Sequence, residues 1–365
     1  MAAFSSDKTK LLHSCGLIAF VLLLQLNMSR SQKVTAMYVF GDSQVDVGNN
    51  DYFQTIFRAN FPFNGIDYPG GKPTGRFSNG KNAADFLAFM NLLDFYVTAE
   101  NVGLPTPPPY LSNKDGLFME GVNFASGGAG ILNTTNGTPF NGTIQLSKQI
   151  EYFSELQQRL IQKIGYDAAQ IHLSTCLFPI VIGSNDLLNY FTFKLPMTKP
   201  PQQYIDLMLS TFSTQLRQLQ GLGARKFLIF GLAPIGCTPA QRLVNISEGY
   251  KCNDEANYWA RVYNQGLQSM LRKLKSQLQE HFNYSYLNTY DFLVNLVQNP
   301  TKYGFREVKA ACCGTGRLNA DVPCLPISTY CPNRNDHVFW DRVHPTEAVA
   351  KILINTLFNN TKQYM

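Results

Sequence analysis

Residues 38–50 read YVFGDSQVDVGNN. An apolar run of strand length stops at Gly41, and small polar residues with two aspartates follow at once. In open α/β sheets, ligands bind outside the carboxyl ends of the strands, so a strand ending this way displays its polar residues where chemistry is done. Gly41 allows a tight turn without a Cβ clash. Ser43 then has two readings. It caps the turn that follows, as small hydroxyl residues do, or it is a nucleophile. A serine hydroxyl is weak alone and needs a neighbouring base, so the choice depends on finding one.

The remaining chain supplies the sheet. Strand-length apolar runs occur at residues 36–40, 177–182, 226–230 and 284–287, and none alternates with polar residues. Continuous runs belong to strands covered on both faces of a parallel sheet. Helical periods lie between them. Leu146, Ile150, Phe153, Leu160 and Ile164 share one face over residues 146–164. Ile205, Leu209, Phe212, Leu216 and Leu219 do so over 202–222, with Gly221 and Gly223 as stop signals. A longer helix over 254–281 turns Trp259, Val262, Tyr263, Met270, Leu274 and Leu278 inward. Strand and helix alternate, so the expected fold is a three-layer α/β/α sandwich with a mostly parallel central sheet. No repeat, charge run or low-complexity linker divides the chain, and residues 32–365 are read as a single domain.

Of the 365 residues, 45% are hydrophobic and 15% charged, with a formal charge of +6. That balance belongs to a globular protein with a large core. Without a Lys/Arg-rich block, it argues against a nucleic-acid partner. Lys8 and Lys10 precede the apolar stretch 11–26, and Ser29 and Ser31 follow. A basic start, a short apolar run and small residues describe a secretory signal peptide, assigned to residues 1–31 with cleavage near 27–33. The run is short for a membrane span, and no integral membrane segment is expected once it is removed. Cys15 leaves with the signal. Of the seven remaining cysteines, Cys176 lies in an apolar run and is the expected buried thiol. Cys237, Cys252, Cys312, Cys313, Cys324 and Cys331 supply up to three disulfides. Zinc is disfavoured, because no CxxC pair occurs. N-x-[ST] sequons fall at Asn133, Asn136, Asn141, Asn245, Asn283 and Asn359, three of them clustered, and mark glycosylation candidates.

The base is sought among few histidines. His172 and His281 have no acid arranged around them, and His337 has Asp336 only as a chain neighbour. His344 lies in FWDRVHPTE, residues 339–347, three positions after Asp341. That spacing lets the carboxylate orient one ring nitrogen and leaves the other free as a base. Pro345 suits the first turn of a helix, so a helix is expected to begin there and fix the histidine's backbone. Acyl transfer also needs donors aimed at a developing oxyanion. IGSNDLLNY, residues 182–190, offers the Asn185 amide at another strand end. GVNFASGGAGIL, residues 121–132, is a glycine-rich loop without phosphate-binding spacing.

FGDSQVDVGNN, NFASGGAG, IGSND and DRVHPTE occur in this order. Together with GLAPIGCTP (231–239) and ACCGTGRLN (311–319), they resemble the blocks of the plant GDSL esterase/lipase branch of the SGNH hydrolases, over residues 34 to 355. The order Ser, Asp, His also occurs in α/β-hydrolases, but their G-x-S-x-G elbow is absent.

The resemblance implies a flavodoxin-like α/β/α fold. It implies a secreted carboxylic ester hydrolase, with lipid catabolism as a setting and no metal or organic cofactor. Ser43 would be the nucleophile, Asp341 the orienter and His344 the base. The Ser43 N–H, the N–H of Gly127 or its neighbour Gly128, and the Asn185 side chain would form the oxyanion hole. Acyl transfer to an alcohol uses the same residues, and a catalytically silent binding glycoprotein is the alternative from another class. The chain departs from the family at one place: Gln44 stands where the GDSL motif has leucine.

Overall fold

The computed structural model describes residues 34–89, 105–136, 142–192 and 199–361. The expected signal peptide and the Asn141 sequon lie outside them. Five parallel strands form the central sheet: β1 (Met37–Gly41), β2 (Gly121–Asn123), β3 (Leu177–Val181), β4 (Lys226–Phe230) and β5 (Asn283–Leu287), in the order β2-β1-β3-β4-β5. This is the flavodoxin-like order, with its switch point between β1 and β3. Ser43 follows β1 at that point.

Helices cover both faces. Alternation along β1 sends Tyr38 and Phe40 into one apolar layer and Met37 and Val39 into the other. The first layer receives α2 (Leu146–Ile164), α3 (Tyr166–Thr175), α5 (Pro201–Gly221) and α7 (Asp254–Leu278). The second receives α1 (Ala83–Phe89), α8 (Thr289–Gln298) and α9 (Glu347–Thr361). The helices α4 (Ser184–Thr192) and α6 (Pro239–Arg242) continue the loops after β3 and β4.

The sequence reading of the helices holds with local corrections. Ile164, the last residue of α2, is exposed rather than buried. On α7 the buried stripe runs through Ala256, Ala260, Tyr263, Leu267, Leu271 and Leu274, while Trp259, Val262, Met270 and Leu278 flank it half-buried. Ala256 and Ala260 let the first turns of the helix approach closely, and Tyr263, Leu267, Leu271 and Leu274 carry the stripe onward. β2, only three residues long, is the part of the glycine-rich segment read from sequence as loop.

The C-terminal third is stapled. Disulfides join Cys237 to Cys252, Cys312 to Cys331 and Cys313 to Cys324, and Cys176 is a buried free thiol. Cys312, Cys313 and Cys324 pack around the fully buried Trp340, whose Nε1 donates to Asn64 Oδ1 at 3.0 Å. Two short pairings, β6 (Glu307–Ala311) with β9 (His337–Phe339) and β7 (Cys313–Gly314) with β8 (Thr329–Tyr330), complete this region.

Phe153 of α2 is the hub of the first layer, with its ring centroid 5.5–6.0 Å from those of Tyr38, Phe40, Phe124 and Phe178. Phe153→Ala is expected to destabilise the fold by about 3–5 kcal/mol, read as a lower denaturation midpoint in urea. A change below about 1 kcal/mol would mean that this layer is loosely packed.

Candidate active site

The turn after β1 is set by backbone crowding. Gly41 has φ +152°, and a Cβ there would lie 2.3 Å from the Val181 carbonyl oxygen. Only glycine fits. Asp42 N–H then donates to Val181 O at 3.0 Å, and Val45 and Asp46 N–H both return to Asp42 O. This single turn presents Ser43, a residue only 7% exposed.

His344 arrives from the opposite end of the chain. Its Nε2 lies 2.7 Å from Ser43 Oγ, and its Nδ1 lies 2.7 Å from Asp341 Oδ2. Asp341 Oδ1 accepts the N–H groups of Val343 and His344 at 2.9 and 2.8 Å. The carboxylate therefore fixes both the ring and the loop that carries it. Burial pushes the Asp341 carboxyl up, but the His344 ring and these N–H donors outweigh it and hold it below the usual 3.8.

The expected role of Pro345 needs correction. It does not open the helix. Pro345 is extended and bridges Phe339, Trp340 N–H donates to His344 O at 2.8 Å, and Thr346 N–H donates to Val338 O at 3.0 Å. The helix begins at Glu347, and Thr346 Oγ1 lies 3.4 Å from Val349 N. A proline keeps the residue before it out of the helical region, which holds His344 in a strand-like turn instead.

The donor groups lie on the three segments that follow β1, β2 and β3. Asn185, in the first turn of α4, donates one amide hydrogen to Ala129 O at 2.9 Å, so its other amide hydrogen remains to be offered. The Ser43 N–H makes no hydrogen bond among the described residues. Gly127 N–H is occupied, donating to Asp46 Oδ2 at 2.9 Å, whereas Gly128 N–H has no acceptor among the described residues.

Several supporting residues were not singled out in the sequence reading. Asp46 accepts three backbone N–H groups, from Gly48, Asn49 and Gly127. Asp186, next to Asn185, accepts the N–H groups of Ile131 and Leu132 and the Thr135 hydroxyl. Asn50 ties Phe57 O, Gly127 O and the Ser126 hydroxyl together. Burial pushes the Asp46 carboxyl up to about 7 and the Asp186 carboxyl to about 6, against the donors that hold them. Phe77 packs on the imidazole with ring centroids 5.0 Å apart, and a Cβ on Gly127 would meet it at 2.4 Å. The signal for Asp46 and Asn50 was their crowding beside Ser43. For Phe77 there was none.

The other histidines stand apart from this arrangement. His172 bonds Tyr38 OH, His281 is exposed beside Glu280, and His337 Nδ1 contacts Asp336 Oδ1 at 2.7 Å. Among the sequons, Asn133 is exposed, whereas Asn136 is buried with its amide donating to Gly128 O, at odds with a sugar there. Asn245 and Asn283 are half-buried with their amides hydrogen-bonded to backbone carbonyls, and Asn359 lies in α9 with its side chain outside the description.

A parallel α/β/α sandwich with this serine, histidine and aspartate at the carboxyl edge of its sheet has the form of an SGNH-type hydrolase. Residues 37–357 match the model of the GDSL-like lipase/acylhydrolase family, and the chain belongs to that family. It is 45% identical to GDSL esterase/lipase At5g55050 of Arabidopsis thaliana over 93% of this chain and 90% of that protein. It is 40% identical to GDSL esterase/lipase At3g50400 of the same plant, over 91% and 89%, and 36% identical to GDSL esterase/lipase LTL1, over 96% and 93%.

Because the folded Asp341 carboxyl is held below its unfolded value, its contribution to stability is present above about pH 3.8 and is lost as pH falls through the lowered value. The stability gap between the native protein and Asp341→Asn, measured in urea, is expected to narrow between pH 5 and pH 3. A gap that widens on acidification would reverse this sign. Asp46→Asn brings an amide N–H₂ against N–H donors and leaves one of them unpaired, which is expected to cost about 1–3 kcal/mol of stability. An unchanged denaturation midpoint would show that Asp46 does not hold the Gly127 loop.

Proposed function

We propose that the protein is a secreted serine hydrolase of carboxylic esters in which Ser43, His344 and Asp341 act as one catalytic unit. The observation that carries this reading is the unbroken chain of contacts, Ser43 Oγ to His344 Nε2 at 2.7 Å and His344 Nδ1 to Asp341 Oδ2 at 2.7 Å. His344 takes the Ser43 proton as Oγ attacks the acyl carbon, and Asp341 stabilises the imidazolium. The oxyanion that forms is met by Ser43 N–H, by the free amide hydrogen of Asn185, and by a glycine N–H of residues 127–128. Of the two, Gly128 N–H is the one without an acceptor among the described residues, since Gly127 N–H is held by Asp46. The tetrahedral intermediate collapses as His344 protonates the leaving alcohol. A water deprotonated by the same nitrogen then attacks the acyl-enzyme, and the acid departs with Ser43 restored.

Secretion is supported by the basic-then-apolar leader, by three disulfides of a kind that persist in oxidising compartments, and by the exposed Asn133 sequon. A setting in lipid catabolism is supported by the esterase/lipase character of the family.

A fluorophosphonate probe tests the assignment directly. The native protein is expected to label, Ser43→Ala to give no label, and His344→Ala to lose ester hydrolysis by at least about 10⁴-fold. Labelling of Ser43→Ala equal to that of the native chain would refute it.

A further inference from the structure

β1 and β2 part before the turn that carries Ser43. β2 ends at Asn123, paired opposite Val39, while β1 runs on to Gly41. The chain after β2 still bonds to β1 twice, Phe124 N–H to Val39 O at 2.8 Å and Ser126 N–H to Gly41 O at 3.1 Å, and then turns away as the glycine loop. The Asp42 N–H points to β3, at Val181 O. Polar groups of successive strand residues point to opposite sides, so the Gly41 N–H faces the side that β2 has left.

A side chain takes the place of the missing strand. Gln149, fully buried on α2, accepts the Gly41 N–H with Oε1 at 2.9 Å and donates from Nε2 to Gly41 O at 2.8 Å. One carboxamide therefore holds both polar groups of the last residue of β1. Its orientation is forced, because an N–H only donates and a carbonyl oxygen only accepts. Nε2 also donates to Ile144 O at 2.8 Å. Ile144 N–H in turn donates to the Ser126 hydroxyl at 3.1 Å, and Ser126 N–H returns to Gly41 O. Gly41, Gln149, Ile144 and Ser126 thus close a buried ring of hydrogen bonds.

The ring lies between the two loops that the reaction needs in register. Gly41 stands two residues before Ser43, and Ser126 immediately precedes Gly127 and Gly128. Gln149 is itself held by the core. Phe153, one helical turn on and on the same face, packs against Phe40 with ring centroids 5.7 Å apart. Resting on the hydrolase reading above, we propose that Gln149 is a positioning residue for ester hydrolysis, setting the Ser43 turn against the glycine N–H donors. Fully buried, it touches no substrate and acts through Gly41 and Ser126.

The test measures p-nitrophenyl acetate hydrolysis per active serine, with active serines counted by fluorophosphonate labelling carried to completion. Gln149→Met keeps the length of the side chain and removes its bonds to Gly41 and Ile144. It is expected to lower kcat and kcat/KM together by about 10–100-fold per labelled serine with KM nearly unchanged, since a misplacement of about 1 Å costs on the order of 10²-fold. Gln149→Asn, whose amide stops a methylene short of Gly41, gives the same reading if Gln149→Met fails to fold. Ser126→Ala opens the ring at the Ile144 N–H bond. Combined with either Gln149 variant, it is expected to add little to the loss, because both changes break one network. A purely structural Gln149 would lower the count of labelled serines and leave kcat per labelled serine at the native value, which overturns the proposal. A loss confined to KM, or losses that multiply fully in the double variant, overturns it as well. Absence of label on the native protein would instead fail the hydrolase reading itself.

Discussion

The contact between Ser43 Oγ and His344 Nε2 joins residues 301 positions apart. A hydrogen bond of 2.7 Å between two nearly buried side chains tolerates displacements of only a few tenths of an ångström. Both ends therefore have to be held by something stiffer than a loop. At the serine end, the close approach of Gly41 to Val181 O fixes where β1 stops, and the Asp42 N–H bond to the same carbonyl fixes the direction of the turn. At the histidine end, Phe339 and Pro345 face each other across a tight turn, and the disulfide-bonded Cys312 and Cys313 hold Phe339 O and Trp340 O with their own N–H groups. The staples in the C-terminal third thus bear on the position of one imidazole ring.

Between these ends lies a polar network in an otherwise apolar interior. Buried polar groups are costly unless paired, and Asp46, Asn49, Asn50, Asn123 and Asp186 are each paired to backbone groups of a neighbouring loop. Such a network gives the loops after β1, β2 and β3 one mutual arrangement. Donors aimed in advance at a developing charge need no rearrangement during reaction, which is where enzymes of this kind gain most of their rate. The supporting carboxylates and amides are thus as much a condition for the site as the residues that touch substrate.

Much of this was legible in the chain. The non-alternating runs at 177–182 and 226–230 read as buried parallel strands because both faces of the sheet are covered, and the structure places β3 and β4 there. The six non-leader cysteines outside the apolar run pair with one another, leaving Cys176 buried, as its surroundings indicated. What escaped is equally particular. β2 is three residues long and glycine-led, too short for a periodic signal. The inward face of α7 starts with Ala256 and Ala260, which a search for bulky residues passes over. Pro345 was expected inside a helix and is instead extended, because its pairing partner Phe339 is six residues earlier and invisible to a local rule.

Residue type and order alone determined that this chain makes a parallel α/β/α sandwich and that its family is that of the GDSL-like lipases and acylhydrolases. Those properties rest on periodicity and on short motifs, and both are local along the chain. Tertiary structure decided which glycine N–H stays free, because Asp46 must cross from another loop to occupy Gly127. It also decided that Asn136 is buried and that Phe77 lies on His344. It set Gln44 at the edge of an apolar pocket whose walls come from β3, β4, α8 and α9. Distances between residues hundreds of positions apart are settled by packing, and no motif encodes them.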